Sequence, residues 1–445
     1  MSKRVAQLPV VPFSYEEVMS GALPSLFARM AVEQGPILKH VVQSGPYAGQ
    51  EFVYMVGPEA NRLVLHTHRD HFSHHLGWAP LIGESLGPGL LTMDDPEHAR
   101  HRQMWNPAFT SARVAAYLPI MQRVIAQRTR TWVERGEVDI YRETREITFD
   151  VAAAALAGFH TGPEVDRLRD LFYILLHPFD GGQVTWEQIQ QKMAHARGEL
   201  TTLLRTLIAA RRATPAEEQP HDVLGMIVHA RDEQGNALSD EQILGHLNIL
   251  LAAGHETTTT LSSWVLYLMA IQPAQRERVR AELAALQPDA DGVTSIEALR
   301  AAKVLDAFIR EVGRLYSPVI NVPRGVVKDF EFAGYTVPAG TALRLALAAG
   351  HRLPHVFANP DVFDPDRFAP PREEDRRHPY ALATFGGGSR VCIGMNVAQL
   401  EVKALAAHVL RTYTLEPIGD QAPVHAGHWT AVLPGGMWMR VQAHA

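Results

Sequence analysis

One cysteine is all that 445 residues contain. A single thiol closes no internal disulfide and supplies no multi-cysteine zinc site, so the chain does not rely on oxidative stapling and a reducing compartment, the cytoplasm, is expected. Excess positive charge is missing too. Lys and Arg total 42 against 48 Asp and Glu, a formal charge of −6, and without a basic stripe to neutralise phosphates no nucleic-acid role is expected. Long apolar runs are absent: VAAAALAGF (Val151 to Phe159) falls far below the ~20 residues that cross a bilayer. The N-terminal MSKRVAQLPVVPFSYEEVM places prolines and acids where a signal peptide carries its apolar segment. No membrane anchor is expected. Neither an internal repeat nor a low-complexity tract divides the chain, so residues 1–445 read as one domain and a monomer.

What remains is an ordinary globular composition, 46% hydrophobic and 20% charged, sufficient for a sizeable core. Helical periodicity dominates, over about 95–320 and 393–412, while β-prone runs broken by Gly and Pro turns lie at about 37–65 and 325–348. The fold class expected is mainly α, a large helical body with a small discontinuous β region. SDEQILGHLNILLAAGHETTTTLSSWVLYLMAIQP reads as one long helix: Ser239 and Gln242 form a capping-box pattern, Asp240 and Glu241 suit the first turn, and Pro273 ends the run. Its middle, AGHETTTT, interrupts the apolar pattern with Gly254, Glu256 and threonines. A zinc-protease reading fails because position 259 is Thr and not His. Taken alone, the segment is equally a satisfied core carboxylate beside threonines that cap a bend.

The cysteine sits in FGGGSRVCIG (Phe385 to Gly394). Three glycines permit positive φ and close passage of the backbone against a flat surface, which suits a large planar ligand. GMNVAQLEVKALAAHVLRTY then reads as a helix with Val397, Leu400, Ala404, Leu405 and Val409 on one side, so Cys392 lies at or just before its N-terminus. There, backbone N–H groups and the helix dipole favour the thiolate, the form that binds iron. Arg390 offers a planar fork to a carboxylate.

The pattern Phe385, Gly388, Arg390, Cys392, Gly394 resembles the haem-binding signature of the cytochrome P-450 family of haem-thiolate monooxygenases. AGHETT (Ala253 to Thr258), EVGR (Glu311 to Arg314) and FDPDRF (Phe363 to Phe368) resemble further landmarks of that family in the same order, and the likeness covers essentially the whole chain. Thr384 stands where the family often has a proline, and Leu353 where an acid is more usual. The resemblance implies haem b with Cys392 as the axial iron ligand, Phe385 beside the sulfur, Gly388 in the loop, and Arg390, Arg324 (in NVPRGV), His98 and Arg102 (in DDPEHARHRQMW) at the haem propionates. Glu311 and Arg314 would hold the cysteine loop without doing chemistry.

It further implies that Thr257 and Glu256 handle protons while one atom of O2 enters a C–H or C=C group of the substrate and the other leaves as water. A peroxide-driven haem enzyme, or an isomerase or dehydratase of the same fold, would not need that acid and alcohol pair, and a haem gas sensor would need no proton path. Electrons are expected from a separate ferredoxin or flavodoxin, because the resemblance runs to Ala445; Arg390, Lys403, Arg113, Arg376 and Arg377 are the candidate docking cations. The segments expected to line the cavity (Leu76 to Met93, Asp170 to Gly182, Leu250, Ser317 to Pro323 and the stretch near Trp429) are apolar and point to a lipophilic substrate. HTHRDHFSHH (His66 to His75) reads as a solvated loop rather than a metal cluster.

Overall fold

The computed structural model describes residues 3–43, 48–177, 185–286, 294–420 and 422–444. It divides into two compact units, one made of Met1–Gly77, Thr129–Thr144 and Thr257–Ala445, the other of Trp78–Arg128 and Arg145–Glu256. The division falls inside the long helix, which runs over Asp240–Ile271, about 48 Å at 1.5 Å per residue. Its start is the capping box read from the sequence: Ser239 N–H donates to Gln242 Oε1 (2.9 Å) and Gln242 N–H to Ser239 Oγ (3.2 Å).

Helix is the main element of the second unit, where Ile140–Ala157 enters from the first unit and is followed by Pro163–Leu176 and Trp186–Ala213. Arg211 closes this unit's interior, donating to both carboxylate oxygens of Asp222 (3.2 and 2.6 Å) and to the Ala157 carbonyl (3.0 Å). Asp222 in turn caps the helix Val223–Ile227.

The first unit holds the sheet. Five strands stand in the order 37–41, 51–55, 342–345, 322–326, 72–73. Tyr54 lies opposite Arg344 in a parallel pair, and Pro323 opposite Arg344 in an antiparallel one. Alternation along the strands separates two cores: Ile37, Val53, Met55, Leu343 and Leu345 face one way, Leu38, Tyr54, Val56 and Ala346 the other. Both faces are covered, which is why FVYMV has no polar alternation. A second sheet joins 413–417, 438–443 and 137–139. The histidine-rich segment differs from its reading as a loop. Phe72 and Ser73 form an edge strand against Val326 and Gly325, and Ser73 and His74 are buried, because the sheet edge supplies backbone partners that no local pattern reveals. Among the described residues, no group of His, Cys, Asp and Glu is arranged to hold a metal ion, and no helix is long and apolar enough to cross a membrane.

Candidate active site

The cysteine loop is built by backbone hydrogen bonds. Gly386 N–H donates to the Ala383 carbonyl (2.9 Å), Cys392 N–H to Phe385 (3.0 Å) and Val391 N–H to Gly388 (3.2 Å). Gly386 and Gly388 have φ of +70° and +63°, a region that penalises any side chain. Two of the glycines answer to protein as well as to any flat ligand. A Cβ on Gly388 would lie 2.1 Å from the Leu65 carbonyl oxygen, and one on Gly387 would lie 2.5 Å from the Tyr380 ring. The following helix starts at Met395 with Gly394 as its cap, so Cys392 stands just before it. The thiol is exposed, and Phe385 and Arg390 are half-buried.

Behind the loop lies a charged network with no exposure. Glu311 accepts from Arg314 Nε and Nη2 (2.8 Å each), from Arg367 Nε (3.0 and 3.1 Å to its two oxygens) and from the Asp364 N–H (2.9 Å). Arg367 Nη1 also donates to Glu374 (2.7 Å), balancing two guanidiniums with two carboxylates. The link to the loop runs through His351, which the sequence reading did not single out. Arg314 Nη1 donates to the His351 carbonyl (2.9 Å), and the His351 ring nitrogen Nε2 accepts from Ala383 N–H (3.0 Å). Burial, then the charges of Arg314 and Arg352, pushes this imidazole down to about 3, so it stays neutral and keeps that lone pair. Gly313 completes the packing, since a Cβ there would come within 3.2 Å of Thr384.

On the long helix, accessibility follows one stripe. Ala253 and Gly254 are exposed, and Leu250 and Thr257 are partly so, amid buried neighbours; positions i, i+3, i+4 and i+7 share one face. Glu256 lies off that stripe, 8% exposed. Its Oε1 is 3.0 Å from His255 Nε2, 3.2 Å from His177 Nε2 and 4.0 Å from Arg145 Nε. The other nitrogen of His255 faces the Leu251 carbonyl at 2.6 Å, so both ring nitrogens meet acceptors. Burial pushes the Glu256 carboxyl up, but the hydrogen bonds and charges of His177 and His255 outweigh it and hold the group well below the usual carboxylate range. Glu256 is therefore an anion at neutral pH. His177 and Arg145 are distant in sequence, and nothing local marked them.

His98 and Arg102 share the helix Glu97–Trp105 in the second unit. His98 is buried with Nδ1 3.2 Å from Asp95, and Arg102 Nε donates to Asn106 (2.8 Å). Arg324 belongs to the first unit, 4% exposed on strand 322–326, with Nη1 donating to the Pro323 carbonyl (2.6 Å). Residues 178–182 of the expected cavity lining lie outside the described residues.

This donor set fits a haem. One exposed thiol at a glycine loop, without a cluster of ligating side chains among the described residues, suits an iron that arrives within a cofactor, and Cys392 would ligate it. The site thus suits a haem-thiolate protein.

The chain belongs to the cytochrome P450 family, whose model matches residues 13–435. Its members bind haem b, and it is a monooxygenase-type oxidoreductase. It is 31% identical over 417 residues to "Putative cytochrome P450 136" of Mycobacterium tuberculosis, covering 92% of this chain and 82% of that one. It is 28% identical over 384 residues to the sterol 14alpha-demethylase of Mycolicibacterium vanbaalenii, covering 83% and 82%. The solved structure of retinoic acid bound cyanobacterial CYP120A1 superposes with a TM-score of 0.83 at 26% identity, covering 98% of this chain and all of that one.

Proposed function

We propose that this protein inserts one oxygen atom from O2 into a C–H or C=C group of a lipophilic small molecule, with electrons from a separate ferredoxin- or flavodoxin-type protein. Cys392 would ligate the haem iron as a thiolate with Phe385 and Gly388 in its loop, and Arg390, Arg324, His98 and Arg102 would hold the propionates. When bound, the haem supplies the oxygen-activating chemistry, which a thiolate ligand favours. The chain supplies position and protons. Thr257 lies on the accessible stripe of the long helix, and anionic Glu256, one residue before it and in contact with His177 and His255, would relay protons toward it. The apolar segments support a lipophilic substrate, as do a relative that is a sterol 14alpha-demethylase and a solved relative that holds retinoic acid.

For docking of the electron donor, Arg113 and Arg377 are exposed. Arg376 is exposed but pairs with Glu373, and Lys403 is tied to Asp306 at 2.7 Å with only 13% of its side chain exposed. Lys403 is accordingly the weakest of the docking cations. A salt-sensitive reduction rate supports electrostatic docking, and a rate indifferent to ionic strength counts against it.

The observation that carries this reading is the lone exposed thiol on a loop held from behind by His351 and the Glu311 network. Its test is spectroscopic. Reduced, carbon monoxide-bound protein is expected to show the strongly red-shifted Soret band of thiolate ligation, and Cys392→Ala to abolish it. A histidine-type band in folded wild-type protein would overturn the assignment.

A further inference from the structure

Arg344 is a charge in an unusual place. It lies on the central strand of the five-stranded sheet and is 5% exposed, yet among the described residues no carboxylate pairs with it. Its guanidinium is held between two rings, 4.2 Å from the centroid of Phe52 and 4.3 Å from that of Trp429. Both rings are within cation–π reach of it. The edge is a different matter: Nη1 donates to the Leu343 carbonyl (3.0 Å), while Nε has no hydrogen-bond partner among the described residues. Burying a guanidinium without an anion is costly, and the Nε/Nη2 edge is the fork that binds a carboxylate side-on.

The side chains around it are aromatic. Tyr54 is the register neighbour of Arg344, and its hydroxyl meets His428 Nε2 at 2.7 Å. Phe13 stacks on His40 with centroids 3.7 Å apart. Burial pushes the Tyr54 hydroxyl up and, together with the charges of Arg344 and His40, pushes the His428 imidazole down to about 3, so both are neutral and neither cancels the cation. Burial also lowers Arg344, to about 10, which still leaves it charged at neutral pH. Arg344 and Tyr54 are buried at the base, while Phe13, Phe52, His428 and Trp429 are half-exposed around them. Two segments expected to line the substrate cavity meet here: Ile320 N–H donates to the Trp429 carbonyl (2.8 Å), Asn321 Nδ2 to that of His428 (2.8 Å), and Pro323 pairs with Arg344.

We propose that Arg344 is a specificity determinant that anchors the carboxylate of an amphipathic lipophilic acid, the aromatic rim taking the adjoining part of its apolar chain. This rests on the monooxygenase reading above and narrows its substrate class. An oriented acid would present a carbon remote from its carboxylate to the site of oxidation, and neutral lipids of the same shape would bind less tightly.

The test uses the full-length, haem-loaded protein and matched pairs of straight-chain carboxylic acids and alcohols of 10 to 18 carbons, with affinity measured by calorimetry. For at least one chain length the acid is expected to bind ~10- to 100-fold tighter than its alcohol, the range for a hydrogen bond to a charged group. Arg344→Met, neutral and able to lie between the two rings, is expected to erase that preference while leaving alcohol affinity within about threefold. Thermal unfolding separates anchoring from structure: relieved of a buried unpaired charge, Arg344→Met should be as stable as wild type or more so. Equal affinity for every acid and its alcohol, or no acid bound at all, would overturn the proposal. So would a variant that is destabilised yet keeps the preference. The carbon monoxide spectrum reports on the monooxygenase reading separately: a thiolate band with no acid preference discards only the anchor, whereas a missing thiolate band in wild type discards the reading beneath it.

Discussion

Replacing Glu311 by Gln perturbs the structure behind the cysteine loop without touching the loop. The side chain keeps its size, but the anion that accepts from Arg314 twice, from Arg367 and from the Asp364 N–H becomes an amide with one acceptor oxygen. Its new NH2 group points at guanidinium donors. Arg314, Arg367 and Glu311 are all fully buried, so the two cations cannot recover water: Arg367 keeps Glu374, 2.7 Å away, while Arg314 is left with the carbonyls of His351, Pro360 and Val362. Removing one partner of a buried pair costs about 3–5 kcal/mol, and two cations depend on this one, so the upper half of that range is expected. Urea unfolding at 25 °C, followed by far-ultraviolet circular dichroism and by haem absorbance, reads the loss directly. The haem signal should fall at lower urea than the far-ultraviolet signal, since Arg314 holds the His351 carbonyl and His351 holds Ala383. Adding Arg314→Met to Glu311→Gln should restore part of the stability, because it removes one of the stranded charges. A loss under about 1 kcal/mol, the range of an exposed pair, would refute the view that this network carries the loop.

Other outcomes follow from the long helix and from the helix after the cysteine. Thr257→Ala is expected to leave folding and haem binding intact while diverting NAD(P)H into hydrogen peroxide; an unchanged ratio of product to NAD(P)H would place the proton path elsewhere. Glu401 is 2% exposed, its Oε1 has no hydrogen-bond partner among the described residues, and burial raises its carboxyl well above 4.5. A carboxyl raised in the folded state stabilises below its unfolded value and loses that contribution as pH climbs through the folded one. Glu401→Gln should therefore match wild type near pH 4.5 and exceed it increasingly toward pH 8 in thermal midpoint. A difference that does not grow with pH would mean the carboxyl stays solvated.

Local chemistry was legible in the sequence wherever it depends on neighbours in the chain. The capping box at Ser239 and Gln242, the 32-residue helix it opens, the glycine turn that presents Cys392 and the helix that follows it are interactions within a few residues, written in residue type and spacing. Tertiary structure decided the rest, because the partners are remote. Gly387 and Gly388 answer to Tyr380 and Leu65, the Phe72 strand exists because Val326 offers an edge, and Glu256 owes its ionised state to His177 as much as to adjacent His255. Arg344 shows the limit most plainly. The sequence shows only that it falls in the β-prone run of about 325–348; the sheet register and the closure of Trp429 over it make it a buried cation. Burial and charge compensation are properties of the packed chain, and a pattern of residue types cannot state them in advance.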